Sequence, residues 1–330
     1  MSRRTDVDES DVRVRPGRGT RPRSKRRPQH ADATEAMVTV VDRGRWRCAL
    51  GGDPGRPVTA MRARELGRTP IVVGDRVGLV GDLSGAPDTL ARIVRVADRS
   101  TSLLRTVDDT DATERLVVAN AEQLVVVTAV ADPEPRTGFV DRCLVAAYAG
   151  GLAPVLCLTK TDLADPEPFA AHYRDLDIPV LRTRRDQAPD ELAGLLAGRV
   201  SALVGHSGVG KSTLVNALLP DAEQRTGTVS GVGKGRHTTV AAVALPLDGP
   251  DSGWVIDTPG VRSFGLAHVS PDDVIDAFDD LAEASKDCPR GCGHLGPPAD
   301  PECALDALVA AGELRPRRLE ALRRVLVALR

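Results

Sequence analysis

GHSGVGKST, Gly205 to Thr213, lies between the apolar run Val200 to Val204 and the helix-forming run Leu214 to Leu219. It fills the phosphate-loop template GxxxxGK[ST]. Glycines let such a loop turn so tightly that backbone N–H groups converge on a phosphate, and the next helix adds its positive N-terminus. The candidate contacts are Gly205, His206, Ser207, Gly208, Val209, Gly210, Lys211, Ser212 and Thr213; Lys211 reaches the outer phosphates and the Ser212 hydroxyl serves a Mg2+ ion. A glycine-rich strand-to-helix turn with an incidental lysine is the plainer reading, but strand, loop, Lys-Ser-Thr and helix all agree. The expected ligand is a nucleoside phosphate.

At 330 residues the chain exceeds one ordinary domain, which predicts two or three units, each with its own core. Aromatic residues make up only 2%, so those cores must be built from Val, Leu and Ala. The formal charge of -2 conceals a basic tail, because residues 12 to 30 hold eight Arg or Lys and no acid. That stretch has too few apolar residues to fold, which predicts either disorder until it meets a polyanion or a solubilising extension. The N-terminus lacks an apolar segment and no run approaches membrane-spanning length, so a cytoplasmic protein without membrane contact is expected. Six cysteines do not read as a disulfide framework here; Cys48, Cys143 and Cys157 each sit in an apolar run as packing residues.

From Ala36 to about Arg105, the runs MVTVV, WRCAL, VTAMRA, VVGDRVGLV and LARIVRV alternate with Gly-Asp, Asp-Pro-Gly and Ser-Gly turns. Five short strands predict a small oligonucleotide-binding barrel, with a purely structural barrel as the alternative. Trp46 is its only aromatic residue, so phosphate contact rather than base stacking must dominate any nucleic-acid binding. Next, a strand over Glu122 to Val130, a helix over Phe139 to Ala149 and a strand over Ala153 to Leu158 predict a parallel α/β sheet.

The second of those strands ends in Thr159-Lys160-Thr161-Asp162, close to the NKxD element by which GTPases read guanine. A carboxylate there accepts two hydrogen bonds from guanine N1 and N2, which adenine cannot supply. Thr159 replaces the usual Asn, and a chance loop is the alternative for the tetrapeptide alone; its place at the C-terminal end of a buried parallel strand favours a ligand contact. A helix near Pro166 to Asp175 and a strand over Ile178 to Leu181 follow. Arg182-Thr183-Arg184 then occupies, by position only, the loop where GTPases place Ser-Ala. Beyond the phosphate loop, Thr226 to Val240 reads as a polar switch loop, and its Thr238 or Thr239 completes the Mg2+ shell. Strands over Val240 to Leu247 and Trp254 to Ile256 lead into Asp257-Thr258-Pro259-Gly260, a DxxG element. In it Asp257 holds Mg2+ through water and the Gly260 amide senses the γ-phosphate.

Near the C-terminus, Cys288, Cys292, His294 and Cys303 offer three thiolates and an imidazole, a set suited to one structural, tetrahedral Zn2+. The last segment, Leu314 to Arg330, is an apolar-periodic helix with six Arg against one Glu; it reads equally as a phosphate-binding or a solvated face.

In ordinary GTPases the guanine-reading element comes last; here residues 159–162 precede 205–213, which precede 257–260. The order therefore describes a circularly permuted sheet, as is possible when the original termini lie close together. With this order, VVGDRV at 72–77, Leu104-Arg105, GHSGVGKST, GRHTT at 235–239 and DTPGVRSFGL at 257–266, the chain from about Ala36 onward resembles the circularly permuted, ribosome small-subunit-dependent GTPases of the RsgA/YjeQ family. After the disordered basic tail (1–35) that composition predicts, the resemblance implies a multi-domain α/β protein: an oligonucleotide-binding (OB-fold) RNA-binding β-barrel (36–110), a circularly permuted P-loop GTPase domain (111–265) and a C-terminal α-helical zinc-binding domain (266–330). Relative to that family, the first gap between zinc ligands is one residue short and the last loop is longer. The implied activity is hydrolysis of GTP to GDP and phosphate in late maturation of the small (30S) subunit, by a monomer bound to rRNA and stimulated by the subunit. An RNA-binding assembly factor that keeps its nucleotide as a structural ligand is the alternative. The resemblance also implies that His237 helps arrange the attacking water, with Lys211 as the other catalytic group. Chemistry asks for such a residue, since Val261, directly after DxxG, has no hydrogen-bonding side chain. Alternatively, His237 contacts rRNA or solvent and the partner supplies the group.

Overall fold

The computed structural model describes residues 30–108, 111–187, 189–219, 242–248, 253–258, 264, 266 and 269–329. The N-terminal strands β1 (Thr34–Asp42), β2 (Arg45–Leu50), β3 (Pro57–Arg62), β4 (Arg76–Gly81) and β5 (Ala91–Val96) match the five runs expected from the sequence. They pair in the order β1-β2-β3-β5-β4, and β4 returns to β1, which closes the barrel. β3 and β5 are parallel while the other neighbours are antiparallel, the pairing of an OB-fold. Alternation sends Val38, Cys48, Val58, Leu79 and Ile93 inward. Trp46 is buried as well, its indole N–H donating to the Ile71 carbonyl at 3.2 Å, so it offers no ring for base stacking.

The VVGDRV stretch ties the barrel to the strands after it. Asp75 is fully buried and is met by a two-pronged Arg99 guanidinium at 2.7 and 3.0 Å, which supplies the donors a buried carboxylate requires. Beside it, Gly74 has φ +89 and packs so closely that a Cβ would stand 1.9 Å from the Ala119 carbonyl oxygen. Ala119 ends a hairpin that the sequence pattern does not predict, formed by β6 (Ser102–Asp108) and β7 (Asp111–Ala119). The expected boundary at residue 110 falls between these paired strands.

The second layer contains β8 (Gln123–Ala129), α1 (Thr137–Ala149), β9 (Ala153–Thr159), α2 (Glu167–Ala170), β10 (Val180–Arg182), α3 (Asp190–Leu196), β11 (Val200–Val204), α4 (Lys211–Leu218), β12 (Val243–Pro246) and β13 (Trp254–Asp257). The strands lie in the order β10-β9-β8-β11-β13-β12, parallel except for the antiparallel edge strand β12. β8 and β11 are buried along their whole length, as their largely apolar sequences require when both sheet faces are covered, and the buried Gln123 and Ser201 side chains pair with each other at 2.7 Å. β12 also pairs with barrel strand β1 through Val243 and Val40, so barrel and sheet are continuous. The helix expected over Pro166 to Asp175 is a single α-turn in α2 followed by a 3-10 turn at Arg174–Leu176.

Four helices complete the described chain: α5 (Pro271–Ile275), α6 (Asp279–Ser285), α7 (Ala304–Ala311) and α8 (Pro316–Val327). Leu319, Leu322, Val325 and Leu326 form the buried stripe of α8, which packs against α1. Three of its arginines also turn inward rather than toward a polyanion. Arg318 meets Asp280 at 2.9 Å and Asp177 at 2.6 Å, Arg323 forks onto Asp306 at 2.8 and 2.7 Å, and Arg324 lies 5.2 Å above the Tyr173 ring.

Arg324 Nε also stands 3.9 Å from a carboxylate oxygen of Asp141, a buried residue of α1. Burial pushes Asp141 up to about 6, against a smaller downward pull from Arg324. The folded chain therefore retains a proton that the unfolded chain releases. The associated stability is present below the ordinary aspartate range and is lost as pH rises through about 6. Asp141→Asn is expected to gain about 2–3 kcal/mol relative to the parent between about pH 4 and pH 7. Unfolding midpoints across that range measure it; parallel pH profiles for the two proteins contradict it.

Candidate nucleotide site and metal centre

β11 ends at Val204, and the loop from Gly205 turns into α4, whose cap Gly210 has φ +93. Gly205 fits because it lacks a side chain: a Cβ would lie 2.6 Å from the Val127 carbonyl oxygen of β8. Thr159, at the end of β9, is buried, and its hydroxyl donates to the Val209 carbonyl inside the loop, with the Thr128 carbonyl 3.3 Å away. Thus the first residue of the Thr159-Lys160-Thr161-Asp162 element braces the phosphate loop. Lys160, at φ +57, extends its ammonium to the Asp132 carbonyl. Lys211 Nζ contacts the Asp257 carboxylate, which joins the phosphate loop to the end of β13. Thr258 then donates to the Leu203 carbonyl at 2.6 Å.

A cavity of about 460 Å3 opens beside these groups, a size suited to a small organic ligand. Its walls bring together Thr159 and Lys160; Thr183, Arg184, Arg185, Gln187 and Pro189 after β10; and His206, Ser207, Gly208, Gly210, Lys211, Ser212 and Thr213. Gly205 and Val209 do not line the cavity, and Val209 is buried. Asp162 is exposed and does not line the cavity, while Asp257 approaches through Lys211. His237, Thr238, Thr239 and Gly260 lie outside the described residues. Sequence reasoning passed over Arg185, Gln187 and Pro189, which belong to no motif, and Phe139, whose ring lies 4.0 Å from that of His206.

The four expected metal ligands also converge. One donor atom from each of Cys288, Cys292, His294 and Cys303 falls within 4.8 Å of all the others. Zinc–sulfur bonds of about 2.3 Å give a tetrahedral edge of roughly 3.8 Å, so a small inward adjustment suffices. Asp272, on α5, lies 3.2 Å from His294 Nε2, which leaves Nδ1, 4.0 Å from Cys303 Sγ, for a metal. The Asp300 carboxylate accepts from the Gly293 and Leu295 amides, each at 2.9 Å, and shapes the loop around His294. Burial raises the Cys292 thiol to about 12, with the neighbouring thiol groups adding to the effect. A bound cation is the charge that would hold these sulfurs as thiolates. By contrast, Cys48 and Cys157 are buried thiols, each pushed up to about 12, consistent with packing roles.

The family model described as RsgA GTPase matches residues 96–267, more than half of the chain. The chain belongs to the RsgA GTPase family. A relative from Pseudomonas putida named small ribosomal subunit biogenesis GTPase RsgA is 38% identical over 269 residues, covering 78% of this chain and 75% of that protein. An identically named protein from Pseudomonas aeruginosa is 41% identical over 223 residues, and the match spans 64% of each chain. Among solved structures, YjeQ from Thermotoga maritima superposes with a TM-score of 0.64 at 26% identity, covering 90% of this chain and 98% of that one. In this chain the permuted order is visible directly, with β9 and its lysine turn ahead of the phosphate-loop strand β11.

The tight seat of Gly205 gives a direct check on the cavity. Gly205→Ala drives a methyl group against the Val127 carbonyl and is expected to weaken GDP binding about tenfold or more, with roughly 1–3 kcal/mol lost in stability. Calorimetric titration and thermal melts measure both; unchanged GDP affinity contradicts the placement of the loop.

Proposed function

We propose that this chain is a GTP hydrolase of late small (30S) ribosomal subunit maturation, binding rRNA and stimulated by the subunit to convert GTP to GDP and phosphate. The observation that carries the proposal is the meeting of the phosphate loop and the Thr159-Lys160 turn around one cavity, with Asp257 against Lys211. The names of its RsgA relatives support the ribosomal setting. Phosphoryl transfer to water asks the protein mainly for positioning and charge stabilisation. Lys211 and the loop amides oppose charge on the transferred group. Ser212 and Asp257, with Thr238 or Thr239, would hold Mg2+, which supplies further charge neutralisation when bound. The Gly260 amide senses the terminal phosphate, His237 orients water, and Asp162 reads guanine N1 and N2.

In the same reading, the barrel (36–110) and basic tail (1–35) contact rRNA, 111–265 is the GTPase unit, and 266–330 is held by one structural Zn2+ on Cys288, Cys292, His294 and Cys303. The protein acts as a cytoplasmic monomer away from membranes. Phosphate release from GTP and ATP, each with and without purified small subunits, tests the central claim. Strong stimulation is expected with GTP alone, and roughly a hundredfold loss with His237→Ala. Turnover indifferent to the subunit overturns the partner, and persistently negligible turnover favours a structural nucleotide. Metal analysis of the purified chain is expected to find one zinc, lost in Cys303→Ser together with a lower melting temperature; full metal retention in that variant contradicts the ligand set.

A further inference from the structure

Guanine differs from adenine on two edges. Its N1 and N2 groups donate, and its O6 and N7 atoms both accept, whereas adenine places an N6 donor beside N7. The proposed role of Asp162 covers the first edge and leaves the second without a reader. Thr159 cannot serve, because its single hydroxyl proton is directed to the backbone carbonyls of Val209 and Thr128 within the protein. Lys160 is turned toward the Asp132 carbonyl.

The loop after β10 supplies a different donor. Arg184 lines the cavity beside Thr159 and Lys160, at the position where a Ser-Ala loop is ordinarily expected. Asp186 braces its guanidinium, accepting from Nε at 2.7 Å and Nη2 at 2.8 Å. That fork uses one side of the planar group. The end-on pair of N–H groups, one on each Nη, points away from the brace in the spacing that matches two adjacent acceptors. Arg184 also feels the charge of Asp162, after the stronger influence of Asp186, so the two candidate base readers belong to one neighbourhood.

We propose that Arg184, held by Asp186, reads the O6/N7 edge of guanine with two parallel N–H donors and is a specificity-determining residue of the nucleotide site. This rests on the GTP reading above and adds to it a side chain in place of the usual backbone contact. Adenine is disfavoured because its N6 donor would face an Arg184 donor, with no acceptor between them.

The test is competition of GTP, 7-deaza-GTP, ITP and ATP against fluorescently labelled GDP on the full-length chain and its Arg184→Ala and Arg184→Lys variants. 7-Deaza-GTP lacks only the N7 acceptor, and ITP lacks only the N2 donor group that faces Asp162. The parent is expected to bind 7-deaza-GTP about tenfold more weakly than GTP. Both variants are expected to bind GTP more weakly and to lose the distinction between GTP and 7-deaza-GTP, because lysine keeps the charge but not the fork. Their discrimination against ITP should persist, which reports an intact fold and a working Asp162. A parent penalty for ITP with none for 7-deaza-GTP overturns the role of Arg184 alone, as does a 7-deaza penalty that survives in Arg184→Ala. Equal binding of ATP and GTP by the parent overturns the guanine reading itself, and this inference with it.

Discussion

Close approach between the phosphate-loop turn and the two strands at its side governs the arrangement of the nucleotide face. Gly205 lies under the Val127 carbonyl with no room for a methyl group, and Val209 is fastened by the Thr159 hydroxyl. The same device recurs along the C-terminal edge of the sheet. Thr183 lies 3.4 Å from the Leu158 carbonyl and Thr258 2.6 Å from the Leu203 carbonyl, each hydroxyl donating to a strand beside its own. The Leu158 carbonyl also accepts from the Thr183 amide at 2.8 Å, so there the hydroxyl adds a second contact to a carbonyl that is already paired. Threonine makes such cross-strand contacts while keeping the β-branched shape a strand favours. The C-terminal edge of the sheet is thereby tied together by threonines, two of which, Thr159 and Thr183, also line the cavity.

This explains why the tetrapeptide at 159–162 reads only partly like a guanine element. The substitution of Thr for Asn changes the available chemistry at its first position, from an amide with two donors to a hydroxyl with one. The structure directs that donor inward, to the Val209 and Thr128 carbonyls. The circular permutation, in contrast, leaves this chemistry alone. β8, β9, β11 and β13 hydrogen-bond as parallel neighbours whatever the order of their connections, because the ladder depends on which strands are adjacent.

Local patterns made much of this fold legible. All five barrel strands were visible as short runs between turn residues, and buried β8 and β11 as largely apolar runs. The β6–β7 hairpin escaped because its sequence, from Ser102 through the acidic stretch to Ala119, lacks a sustained alternation and its pairing carries register shifts. Strongly charged α8 was ambiguous for another reason: arginine can bury its stem while its head finds a carboxylate, so composition does not reveal which way it points. Arg318 and Arg323 resolve that ambiguity only through partners distant in sequence, Asp280, Asp177 and Asp306. The four metal ligands were readable because thiols and imidazole form a chemically restricted set; the brace from Asp272, contributed by another helix, was not.

α1 is where these separate arrangements meet. Near its start, Phe139 lies against His206 of the phosphate loop. One turn later, Arg142 donates to the Phe264 carbonyl at 3.3 Å, in the segment beyond β13, and to the Ala328 carbonyl at 3.5 Å, at the end of α8. Asp141 lies beside Arg324 of that same helix. α1 therefore touches the phosphate loop, Phe264 and the last helix at once. Movement of any one of them must either carry α1 or break a named contact with it.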